Sequence, residues 1–124
     1  MRYLDLEDVR AVALVVLGGR LEVRDWGLLQ SAIARPSTTV FGDDAYPTVW
    51  DKAAALMHSL VGNHALVDGN KRVGFACAVL LLFGNDVRLA YEEDDAYDLV
   101  IAVAEGRLEV PGIAAGLRQW QNAG

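Results

Sequence analysis

The chain has 124 residues, of which 53% are hydrophobic and 23% charged, and its net charge is −6. That is the size of a single domain over residues 1–124, with an ordinary globular balance and enough burial (roughly 65% of the unfolded surface) for a core without staples. The acidic surplus is wrong for displacing counterions from nucleic acid, and the single Cys77 excludes an internal disulfide or a multi-cysteine zinc site.

Asp5 can cap a first helix reaching residue 17, with apolar positions at Leu6, Val9, Ala13, Val16 and Leu17. Gly18 and Gly19 end it. Asp25 can cap a second helix holding Leu28, Leu29, Ala32 and Ile33, which Pro36 stops. Residues 36–46 read as a loop, with a short hairpin around 38–41. Pro47 suits the first turn of a third helix, whose apolar positions Val49, Ala53, Leu56, Met57, Leu60 and Val61 make one face.

Gly62 and Asn63 break that helix. A fourth runs from about Gly69 to Phe83 and is apolar or small on every side from residue 73, which predicts a place in the middle of the domain. Residues 87–90 read as a short extended piece. A fifth helix spans about 92–105, and Pro111 opens a sixth reaching about 121. With no βα alternation, the fold class is all-α: about six helices around a central apolar helix, with one short β-hairpin.

The longest uncharged run, residues 73–85, has 13 residues, against about 20 for a bilayer span. The apolar stretch at 11–17 follows Asp5, Glu7 and Asp8, where a signal peptide carries positive charge. The sequence therefore reads as soluble, reduced and cytoplasmic, with no membrane partner.

Chemistry concentrates in residues 64–72, His-Ala-Leu-Val-Asp-Gly-Asn-Lys-Arg, at the start of the fourth helix. A helix N-terminus offers free N–H groups and a positive dipole end, which suit phosphate. Gly69 permits close approach of a ligand to the backbone. Lys71 and Arg72 add charge, and Arg72 suits bidentate contact with phosphate oxygens. Asp68 is the oxygen donor that Mg²⁺ prefers, and His64 is the residue type that suits a general base. This is a parts list for phosphoryl or nucleotidyl transfer, in which positioning and charge neutralisation dominate.

Structural readings stand beside these. Asp68 can cap the helix, Asn70 can be a cap or turn residue, and Lys71 and Arg72 can be solvated. Two cations at the cation-unfavourable helix end are, however, a local inconsistency of the kind that marks function. His58 and His64 lie about 240° apart on a helix and cannot share a metal. The acidic run 92–95 reads as a solvated first turn, Trp26, Trp50 and Trp120 as core or half-buried, and Cys77 as inert packing. Ser31 and Ser59 have no paired base.

The run 64–72 resembles the Fic/Doc family motif HxFx(D/E)(G/A)N(K/G)R and is closest to its Doc branch, the toxins of Phd–Doc toxin–antitoxin modules. Chain length, helix number and motif position extend the resemblance to about residues 2–121. The resemblance implies His64 as the base toward a target hydroxyl, with Asp68 holding Mg²⁺ on the nucleotide phosphates. It implies an anion nest at Gly69 and Asn70, with phosphate contacts from Lys71 and Arg72. Where the adenylylating branch has glycine, this sequence has Lys71, which goes with an inverted ATP and transfer of the γ-phosphate. By similarity the reaction is phosphorylation of a protein Ser/Thr, in elongation factor Tu, which blocks translation. The partner implied is a Phd-type antitoxin whose C-terminal helix lies beside the site. The loop at 36–46 sits where the family places a target-docking flap. Two alternatives are a Fic-type adenylyltransferase and a catalytically weak binding module of the same fold. The one departure is Leu66, where the family has an aromatic residue packed under the loop.

Overall fold

Side-chain caps decide where the first three helices begin. The computed structural model describes residues 1–122. Its six α-helices are α1 (Leu6–Val16), α2 (Trp26–Ala34), α3 (Val49–Gly62), α4 (Asn70–Gly84), α5 (Glu93–Ala104) and α6 (Val110–Arg118). Asp5 accepts from the Asp8 amide while Asp8 accepts from the Asp5 amide, a reciprocal box that fixes the start of α1. Thr48 and Asp51 form the same box on α3. The third helix therefore starts at Val49, and Pro47 stands just outside it rather than in its first turn. Asp25 caps α2 through the Leu28 amide.

Two ends differ from the sequence expectation. Pro36 does not simply stop α2, because residues Arg35–Ser37 continue it as a tight 3₁₀ turn. The sixth helix ends at Arg118, short of residue 121. The backbone beyond it is taken by the extended piece before α5: Ala90 donates to the Trp120 carbonyl (2.8 Å) and Asn122 to the Arg88 carbonyl (2.8 Å).

The hairpin pairs β1 (Thr39–Val40) with β2 (Asp43–Asp44), Thr39 opposite Asp44 and Val40 opposite Asp43. Two-residue strands are marginal in water, so this hairpin relies on what grips its foot. Lys52, only 3% exposed, reaches from α3 to the Asp44 carboxylate (3.1 Å) and also donates to the Tyr46 carbonyl. Arg35 donates to the Tyr46 hydroxyl (2.8 Å) and to Ser59 Oγ (2.9 Å), and it lies against the Tyr46 ring. It also meets the Ala55 carbonyl (3.5 Å) and His58 Nδ1 (2.8 Å). That nitrogen must accept, so the proton of the neutral ring sits on Nε2, which faces Glu109 (3.3 Å).

The central apolar helix is α3, with nine buried residues against six for α4. Among the apolar residues of α4, Val73, Cys77, Ala78, Leu81 and Leu82 are buried. Its outer side is only partly covered at Phe75, Val79 and Leu80, and Phe83 is exposed. Gly74 sets the approach of the two helices, because a Cβ there would stand 2.6 Å from Val61 Cγ2 and 3.3 Å from the Val61 nitrogen. Trp50 is core and Trp120 half-buried, as the sequence suggests, but Trp26 is 51% exposed. The reason is that α2 buries Leu29 and Ala32, while its whole first turn faces outward. Among the described residues no helix is long and apolar enough to cross a membrane.

The contact of α3 with α4 places the loop between them, so overpacking it should be felt. Gly74→Val is expected to cost about 1–3 kcal/mol in denaturant unfolding, with the midpoint lowered and the slope unchanged.

Candidate active site

The loop from α3 to α4 is seven residues, 63–69, and five of its seven amides and three of its seven carbonyls are hydrogen-bonded. Ala65 accepts at its carbonyl from the amides of Arg24 (2.8 Å) and Asp25 (3.1 Å), and Val67 donates to the Glu22 carbonyl (3.0 Å). Val23 and Leu66 form an antiparallel bridge. Asn70, the first residue of α4, turns its side chain back over the loop. Its Oδ1 accepts from the Leu66 amide (3.0 Å) and its Nδ2 donates to the Leu66 carbonyl (3.0 Å). Both polar groups of one loop residue are thereby satisfied by one side chain, and Leu66 itself is 2% exposed in the core. The side chain that departs from the family pattern is thus packed beneath the loop.

Gly69 is the residue before α4 and has φ +86°, the left-handed region. A Cβ there would also lie 2.3 Å from Leu17 Cδ2, so the Leu17 side chain would have to move aside. Asp68 is therefore not the helix cap. Its Oδ1 accepts from the Gly69 amide (2.8 Å), and the residue is exposed. The helix carries no side-chain cap and no carboxylate in its first turn. Its first backbone bond runs from the Val73 amide to the Gly69 carbonyl (2.9 Å), so the amides of Asn70, Lys71 and Arg72 have no acceptor among the described residues.

The side chains gather around these free amides. His64, Asp68, Gly69, Asn70, Lys71 and Arg72 line one cavity of about 180 Å³, with Val61, Val67 and Ala104 as its apolar wall. All six residues singled out in the sequence are thus brought together. His64, Asp68, Lys71 and Arg72 are exposed. His64 has φ +54°, and its ring bonds to nothing among the described residues. Lys71 and Arg72 face no carboxylate within ion-pair distance among the described residues, although acidic residues outnumber basic ones by seventeen to eleven. Two unpaired cations on the same turn as three free amides are a donor set that can attract an anion such as phosphate. Both cations also edge a wider cleft of about 480 Å³ between α4 and α5, walled by Phe75, Tyr91 and Tyr97.

No group of three His, Cys, Asp or Glu able to hold a metal exists among the described residues. Asp68 alone supplies a carboxylate at the cavity, with Oδ2 unengaged. That donor set fits a divalent cation which takes its other oxygens from phosphate and water. His58 is occupied by Arg35 and Glu109. Cys77 is fully buried, and burial, with the Asp8 charge adding to it, pushes its thiol up to about 12, so it is inert at neutral pH.

Sequence reasoning missed the frame around these residues. Leu17, the backbone of 22–25 and Asn63 carry no motif, since they act by position or through the main chain. The burial of Lys52 and the partners of Arg35 are equally illegible in the sequence, because nothing local separates a buried cation from a solvated one.

The role of Asn70 is open to measurement. Asn70→Ala leaves the Leu66 amide and carbonyl unpaired and is expected to destabilise the fold by about 1–3 kcal/mol. Amide exchange should rise across residues 64–68 well before it rises in α3.

Comparison with known proteins identifies the family. Residues 3–82 match the model of the Fic/DOC family. A protein of Mycolicibacterium smegmatis (strain ATCC 700084 / mc(2)155) described as "Toxin Doc" is 53% identical over 117 residues, covering 93% of this chain and 90% of its own. With most of its helical frame and the entire segment 64–72 inside the match, the chain belongs to the Fic/DOC family.

Proposed function

We propose that this chain is the toxin of a type II toxin–antitoxin module and acts as a protein Ser/Thr kinase. It transfers the γ-phosphate of ATP to elongation factor Tu. The observation that carries the reading is the pairing of an exposed His64 with unpaired Lys71 and Arg72 on one cavity at an uncapped helix start. The name of the mycobacterial relative supports the toxin role.

The residues divide the work. His64 takes the proton from the attacking hydroxyl. The hydroxyl oxygen bonds to the γ-phosphorus, the bond to the β–γ bridging oxygen breaks, and ADP leaves. The amides of Asn70, Lys71 and Arg72, with the two side-chain cations, hold the charge that spreads over the phosphate oxygens. Arg72 grips two oxygens and fixes their orientation, while Lys71 acts as a point charge. Asp68 would hold Mg²⁺, which when bound neutralises phosphate charge. Lys71 supports γ-phosphate transfer because its side chain takes room at the helix start that an AMP-transferring orientation would use. The aromatic wall of the wider cleft offers a surface on which a nucleobase can stack.

The reading places the protein in the cytoplasm, as one domain over 1–124, with a Phd-type antitoxin as its partner and no direct contact with nucleic acid. Expression of the wild-type chain is expected to arrest growth, and His64→Ala to relieve the arrest through a loss of about 10²–10⁴ in rate. A folded His64→Ala protein that still arrests growth overturns the reading. With purified target, label from γ-³²P ATP supports phosphorylation, and label from α-³²P ATP instead shows transfer of AMP.

A further inference from the structure

His64 is a non-glycine residue in the left-handed region, and its ring has no protein partner among the described residues. Its direction is therefore set by the backbone on either side. On one side stands Asn63, the last cap of α3, whose amide donates to the Ser59 carbonyl (2.9 Å). The Asn63 side chain does two further things. Its Nδ2 donates to the Leu28 carbonyl on α2 (3.0 Å), and its Oδ1 accepts from the Ala65 amide (3.2 Å). One side chain thus spans His64, holding the peptide after it and anchoring the peptide before it to a neighbouring helix. Ala65 is fixed in turn by the amides of Arg24 and Asp25 at its carbonyl.

We infer that Asn63 is a positioning residue for His64, acting through the backbone to keep the imidazole aimed at the cavity. The inference rests on the proposed role of His64 as the base. The phosphate half of the site has a separate support, because the start of α4 is braced by Asn70 on Leu66. Base placement and anion binding are consequently separable. Loss of Asn63 moves the histidine and leaves the anion site in place. Left-handed strain persists only where its surroundings enforce it, so without Asn63 His64 relaxes.

The test compares wild type, Asn63→Ala and Asn63→Asp with ATP, Mg²⁺ and elongation factor Tu. Asn63→Asp keeps the acceptor for the Ala65 amide and loses the donor to Leu28. Asn63→Ala is expected to lower kcat about 10–100-fold, as a misplacement near 1 Å does, with KM for ATP within about twofold of wild type. Asn63→Asp should recover part of kcat. A kcat unchanged in folded Asn63→Ala overturns the inference, and so does a loss confined to KM for ATP. The three-bond HN–Hα coupling of His64 gives a readout that needs no turnover. It should change in Asn63→Ala, or in Asn63→Asp if the alanine variant does not fold, while the side-chain amide signals of Asn70 stay fixed. An unchanged coupling contradicts the inference whether or not the wild type is active. An inactive wild type with a changed coupling contradicts the proposed reaction and upholds the positioning.

Discussion

The pair of hydrogen bonds between the Asn70 side chain and the Leu66 backbone is the constraint on which the site depends. A loop of seven residues joins the two helices most closely packed in the fold. Left alone, it would expose its polar backbone and wander. Asn70 closes it from the helix side, residues 22–25 close it from the other, and Gly69 makes the left-handed turn into α4. Order in the loop is what brings a histidine, a carboxylate and two cations to one cavity. Leu66 contributes by lying buried beneath the loop while its main chain is held above.

The same constraint explains the electrostatics. The helix start at Asn70 lacks a side-chain cap, and the acidic groups of the first turns elsewhere, such as Glu93, Asp94 and Asp95 on α5, are absent from it. Free amides and unpaired cations at one spot are unfavourable in an empty fold and favourable once an anion arrives. The site carries local positive charge on a chain that is acidic overall. The helix itself is held in the α3–α4 interface, where Gly74 lets the helices approach closely.

Much of this was legible in the sequence, for definable reasons. Helix starts at Asp5 and Asp25 carry their own caps, and the hairpin after Pro36 is announced by turn residues. The run 64–72 holds enough unlike polar groups in one window to be read as a site. What stayed hidden depends on tertiary contact. Thr48, not Pro47, opens α3, because its box with Asp51 outweighs the φ preference of proline. The most apolar helix by composition, α4, leaves one side partly open, while α3, with Lys52 and His58 in it, is the buried centre. Lys52 is indistinguishable in sequence from a surface lysine; only the folded hairpin gives it Asp44 and the Tyr46 carbonyl as partners. Asn63 reads as a helix breaker, and its span across His64 is visible only with Leu28 beside it.

The most direct measurement is the intact mass of elongation factor Tu after incubation with the purified chain, ATP and Mg²⁺. Transfer of the γ-phosphate from the α4 site predicts a gain of about 80 Da, the mass of one phosphoryl group, absent with His64→Ala. A gain of about 329 Da, an adenylyl group, contradicts the orientation assigned to Lys71, and an unchanged mass contradicts the proposed target.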